Sequence, residues 1–277
     1  MIANKYTILE KLSEGSFGTI VKGKNVRTNE FVAIKMELKT EQQNSLKNEA
    51  RVYNYLGKQT GFPQLKWFGT TDKYTYLVIN LLGSSLAHCV KKYTNLSLKT
   101  TIKMGIQIIN LIHRLHDKLM IHRDIKPDNF LFGLESCTNN LHLIDFGFCK
   151  RYDYDGKHII EKNINTLVGT ANFVSLNVHK GIEPSRRDDV ESCLYVMIYM
   201  FTGKLEWLNC TTNRQIYELK RDVIKKDYVP AFIKSLLSYV RELKFDERPD
   251  YDYIVNIMEL EYTINLFVNN DKYEWNN

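Results

Sequence analysis

Between residues 6 and 12 apolar and polar positions alternate, and the alternation resumes over 19–23 after the polar stretch Ser13-Glu14-Gly15-Ser16-Phe17-Gly18. Alternation sends successive side chains to opposite faces of an extended chain, so the two runs predict strands of a hairpin. Residues 31–36, 66–69 and 74–79 read as three further strands, completing a small five-stranded antiparallel sheet. The pattern changes over 42–56, where Leu46, Ala50, Tyr53 and Leu56 recur every three or four positions and predict a helix. Helical spacing returns over 98–119, with Ile102, Ile106, Ile109, Ile112 and Leu115 as the expected core face. The longest apolar run, 193–201, is far below the roughly 20 residues that cross a bilayer. Secretion and membrane insertion are not expected.

Composition narrows the class. With 277 residues, 44% hydrophobic and 25% charged, the chain can bury a large core. Absence of repeats and low-complexity segments predicts one domain over 1–277. Cys89, Cys137, Cys149, Cys193 and Cys210 are odd in number and lack C-x-x-C spacing, which argues against a disulfide framework and a structural zinc site. A reducing, intracellular location, cytoplasmic or nuclear, is expected. The net charge of +6 comes from lysines spread along the chain, not clustered with aromatics as in a nucleic-acid reader. The surplus reads as solvated surface, and a monomer is expected.

Candidate chemistry concentrates in Ile121-His122-Arg123-Asp124-Ile125-Lys126-Pro127-Asp128-Asn129-Phe130-Leu131 and in Leu143-Ile144-Asp145-Phe146-Gly147. Asp124, in a polar turn between apolar runs, can accept a hydroxyl proton, and Lys126 can offer its ammonium to a transferring phosphoryl group. Asn129 and Asp145 are hard oxygen ligands of the kind magnesium takes. Gly15 and Gly18 leave the hairpin tip bare, so backbone N–H groups can approach phosphates. No G-K-[ST] follows, which excludes a Walker A loop, and the strand that comes next excludes a dinucleotide-binding fold. Glu49 is placed either to pair with Lys35 or to remain a solvated helix carboxylate. His113 and His116 have no third ligand nearby in sequence and are expected in surface or capping roles.

These segments resemble the protein-kinase set H-R-D-x-K-x-x-N, D-F-G and V-A-I-K, the last as Val32-Ala33-Ile34-Lys35. The resemblance implies an α+β bilobal fold: a small antiparallel β-sheet lobe with one main helix, 1–79, a hinge, 80–83, and a larger mainly helical lobe, 84–277. It implies ATP and magnesium as cofactors, with Asp124, Lys126, Lys35, Glu49 and Thr170 in catalytic roles and Asn129 and Asp145 on the metal. Nucleotide contacts are implied for Leu12, Ser13, Gly15, Ser16, Gly18 and Lys35. The resemblance further implies that Ile20, Ala33 and Leu131 sandwich the adenine, that Ile79 guards the rear of its pocket, and that Asn80 and Leu82 belong to the hinge.

Ser175-Leu176-Asn177 and Glu183-Pro184-Ser185-Arg186-Arg187-Asp188-Asp189-Val190-Glu191-Ser192 are similar to the casein kinase 1 family, which implies transfer to serine or threonine of protein substrates. Two departures stand out. Asn172 and Ile216 occupy positions where that family carries an arginine and a lysine that favour substrates already phosphorylated. Ser13 replaces the first glycine of the phosphate loop, the one feature favouring the alternative of a pseudokinase that binds or scaffolds.

Overall fold

The computed structural model describes residues 1–15, 18–39, 45–134, 139–270 and 272–276. They form two compact units, Met1–Gly83 with Leu131–Gly147 and Ser84–Phe130 with Phe148–Asn277.

The first unit is built on a sheet of β1 (Tyr6–Gly15), β2 (Gly18–Asn25), β3 (Phe31–Leu38), β4 (Leu65–Thr70) and β5 (Tyr74–Asn80), ordered β1-β2-β3-β5-β4 and antiparallel throughout. One face carries a core of Tyr6, Val21, Val32, Ile34, Tyr76 and Val78. Their spacing of two along β3 and their opposition across strands are what the alternating pattern required. Helix α1 (Ser45–Leu56) buries Leu46, Ala50, Tyr53 and Leu56 as its spacing predicted, and Val52 as well. Residues 42–44 of the expected helix lie outside the described residues. Segment 131–147 joins this unit through backbone bonds: Gly83 N–H donates to Phe132 O at 2.8 Å and Leu143 N–H to Gly61 O at 2.9 Å. The sequence reading divided the chain at a single hinge, and it is these bonds that carry a later segment back to the sheet.

The second unit is helical: α2 (Leu86–Tyr93), α3 (Leu98–Asp117), α4 (Leu176–His179), α5 (Arg186–Thr202), α6 (Asn213–Asp222), α7 (Ala231–Glu242) and α8 (Tyr251–Ile264). Helix α5 is buried on every side, and α3 and α7 pack on it. Its apolar residues are not confined to one stripe, which is the pattern of a helix at the centre of a core. A capping box starts it, with Asp188 accepting the Ser185 N–H at 2.7 Å. On α3 the structure corrects one expectation: Ile108 is fully buried, while Ile106 is half-buried and lines an open cavity beside α8. Both fit a helical period, and only the packing of α5 and α8 chose between them. No helix among the described residues is long and apolar enough to cross a membrane.

Candidate active site

In the first unit, strand register sets Ile20 opposite Lys35 and Ala33 opposite Ile79. Opposed residues, and residues two apart on one strand, share a face, so Ile20, Ala33, Lys35 and Ile79 lie together on the side away from the sheet's core cluster. Glu49 reaches that face from α1, its Oε2 accepting from Lys35 Nζ at 2.8 Å. Asp145 Oδ1 accepts from the same ammonium at 3.0 Å. Glu49 is 2% exposed, so it is not the solvated carboxylate that its position on a helix also allowed. Burial by itself would lower the Lys35 pKa, but the Glu49 and Asp145 carboxylates outweigh it and hold the ammonium above its ordinary value. Burial pushes Glu49 upward while Lys35 pulls it back.

Asp145 is itself fixed by neighbours. Its N–H points to the Tyr53 hydroxyl at 3.4 Å, and the following Phe146 ring meets Tyr53 and Phe62 edge-on at 4.9 and 5.9 Å. At the hairpin tip Gly15 pairs with Gly18, whose φ is +103° and whose added Cβ would strike the Met36 carbonyl oxygen. Glycine is required there by conformation and by space. Ser13 lies on β1 opposite Ile20, and Leu12, at a bulge, is 47% exposed. Ser16 lies outside the described residues. Ile20, Ala33, Ile79, Asn80, Leu82 and Leu131 are half-buried, and the Asn80 side chain accepts the Gln64 N–H at 2.8 Å.

In the second unit the Asp124 carboxylate, 2% exposed, sits in a closed triangle. Lys126 Nζ donates to its Oδ2 at 2.7 Å, Thr170 Oγ1 donates to its Oδ1 at 2.7 Å, and Lys126 Nζ also reaches Thr170 Oγ1 at 3.2 Å. Asn129 Nδ2 donates to the Asp124 backbone oxygen at 2.8 Å. The loop is held from beneath by Asp189 of α5, which accepts the N–H groups of His122 at 2.6 Å and Arg123 at 2.9 Å. His116 Nε2 lies 3.0 Å from the same carboxylate, and its Nδ1 lies 2.6 Å from the Tyr251 hydroxyl. Burial would raise the Asp189 pKa, yet the bonds from His116 and the loop amides hold it below the usual carboxylate value.

His116 corrects the sequence reading. It is 1% exposed and wedges between α3, α5 and α8 instead of facing solvent. The signal was available, since His116 lies four residues after Ile112 on the apolar stripe. Its neighbour His113 stacks on Tyr251 at 4.1 Å. Lys220, which the sequence did not mark, is also fully buried.

The donor chemistry fits magnesium. Tying Asn129 Nδ2 to the loop leaves that side chain's amide oxygen in the second unit, and Asp145 carries a carboxylate in the first, each taken by itself an oxygen donor of a suitable kind. Magnesium takes one or two protein ligands of this kind and completes its shell with phosphates and water. Among the described residues no group of three or more His, Cys, Asp or Glu side chains could hold a metal by itself. Compared with known families, the chain matches the model for the protein kinase domain over residues 6–259.

Proposed function

For this chain, which belongs to the protein kinase family and has its bilobal α+β fold, we propose serine/threonine kinase activity of the casein kinase 1 type. Kinases use ATP, typically with magnesium, and phosphorylate proteins. The observation that carries the finer reading is the Asp124–Lys126–Thr170 triangle. A carboxylate so held is oriented to take the acceptor hydroxyl's proton, and Lys126 beside it can neutralise charge on the transferring group. Its two bonds also keep it from swinging away between turnovers.

Lys35 holds phosphate oxygens, with Glu49 and Asp145 fixing the reach of its side chain. Ile20, Ala33 and Leu131 supply apolar surface for adenine, and the bare backbone of Gly15 and Gly18 approaches the phosphates. Asn129 and Asp145 each carry an oxygen donor of the kind magnesium takes, and the ion, when bound, would neutralise charge on the phosphates. The motifs Ser175-Leu176-Asn177 and Ser185-Arg186-Arg187-Asp188-Asp189 support the casein kinase 1 assignment.

Labelled ATP, magnesium and an arrayed peptide library test the proposal directly. The wild type is expected to label serine or threonine, and Asp124→Asn and Lys35→Met each to reduce transfer by at least about a hundredfold while melting cooperatively. Undiminished turnover in either variant would sink the role assignments. A wild type that binds nucleotide without transfer would mark a pseudokinase.

A further inference from the structure

Lys220 of α6 is 0% exposed, an unusual place for a lysine, which is almost never fully buried unless paired. Among the described residues no carboxylate pairs with its ammonium: the nearby Glu191 bonds Arg241 at 3.2 Å and Tyr195 at 2.6 Å. Lys220 Nζ instead donates to the backbone oxygens of Ala171 at 2.8 Å and Val174 at 2.6 Å, and lies 3.2 Å from His179 Nε2. The rings of Tyr195 and Trp207 stand 4.8 and 5.7 Å away. Burial pushes the ammonium well below its ordinary pKa. A methionine would fill this space without that penalty, so packing alone does not account for the amine.

The turn it grips is closed from both sides. Trp207 Nε1 donates to the oxygen of Asn172 at 2.8 Å, between the two carbonyls that Lys220 holds. Within the turn, the N–H groups of Phe173 and Val174 return to the Thr170 oxygen at 2.8 and 3.1 Å. Just before it, Gly169 has φ +100°, and a Cβ there would strike the Arg123 carbonyl oxygen, so the entry is fixed as well. The first residue of this closed turn is Thr170, whose hydroxyl bonds Asp124.

We propose that Lys220 is a positioning residue for phosphoryl transfer, anchoring the 170–174 turn so that Thr170 holds the Asp124 carboxylate in its reactive orientation. The inference rests on the kinase reading. It also assigns the amine's hydrogens inward, which takes Lys220 out of the set of cations available to read a substrate phosphate.

A double-mutant cycle separates this role from mere support of the fold. kcat, ATP affinity and melting are measured for the wild type, Lys220→Met, Thr170→Val and the double variant. Lys220→Met is expected to lower kcat about tenfold with ATP affinity within about twofold of wild type, and to lower it less than about twofold when Thr170 is already Val. Equal factors in both backgrounds, or an undiminished kcat in the folded Lys220→Met protein, would overturn the inference. Should Lys220→Met not fold, Lys220→Gln, which keeps N–H donors, runs the same cycle under the same criterion. A wild type without turnover would remove the kinase reading itself, whereas an active wild type with an additive cycle would remove only the role of Lys220.

Discussion

Arg123 and Asp145 hold φ angles of 69° and 65°, a region that costs a residue with a Cβ on the order of 1–2 kcal/mol. Both are over-determined by neighbours: Arg123 donates its N–H to Asp189 and its Nε–H to the Phe148 oxygen at 2.6 Å, and Asp145 is tied to Lys35 and Tyr53. Strain of this kind persists where a side chain must be aimed, and Asp145 aims its carboxylate at the Lys35 ammonium. That ammonium is shared between two carboxylates, so removing one lets the other capture it. Glu49→Gln is therefore expected to raise the KM for ATP about tenfold, the loss of roughly one charge-assisted bond, with a smaller effect on melting. Initial rates over a series of ATP concentrations decide it, and an unchanged KM would mean that Asp145 alone positions Lys35.

Among the elements, α5 links the helical core to the catalytic loop. Asp189 lies in its first turn, where the helix dipole also favours a negative charge. Asp189→Asn keeps the shape but replaces one acceptor by a donor facing His116 or the loop amides. The expected loss is about 1.5–3 kcal/mol, read as a fall in melting temperature, together with a fall in kcat. A variant with wild-type melting and kcat would show that the loop is held by other bonds.

Helix α6 carries Ile216, one of the two departures from the casein kinase 1 pattern. Ile216 is 5% exposed on it, so a lysine introduced there would have to drag its stem out of the core. Asn172→Arg alone is the cleaner variant. It is expected to raise the kcat/KM ratio of a phosphoserine-primed peptide over its unphosphorylated twin by about tenfold, the worth of one charge-assisted bond to phosphate. An unchanged ratio would place any reading of a primed phosphate elsewhere.

Over the whole molecule, buried titrating groups pull stability in opposite directions. Burial raises Asp188 from 3.8 to about 6, so across that window the folded state binds more protons than the unfolded one, and this contribution to stability falls as pH rises. Burial, followed by the charge of Lys220, lowers His179 from 6.5 to about 4, so the unfolded state binds more protons and this contribution rises with pH. Removing one exposes the other. Asp188→Asn is expected to make the melting temperature drop more steeply between pH 6 and about 4.5, and His179→Gln to make it drop less steeply. Melting curves at half-unit pH steps check both signs, and parallel profiles for all three proteins would refute them.

Local pattern determined most of the elements. Alternation placed β1 to β5, helical spacing placed α1 and α3, and the motifs singled out Lys35, Asp124, Lys126, Asn129 and Asp145 as candidates, because strand and helix periods and side-chain types are properties of neighbouring residues. Which positions meet was decided by tertiary structure. Glu49 could face solvent or pair with Lys35, with the surrounding motif favouring the pair, Ile106 was expected in the core where Ile108 lies, His116 was expected in a surface or capping role, and Lys220 was not marked at all. Their fates depend on groups far away in sequence: Lys35 14 residues before Glu49, Asp189 73 residues after His116, and the Val174 carbonyl 46 residues before Lys220. A buried polar side chain is stable only where such a partner satisfies it, and no periodicity within its own helix records where that partner will be.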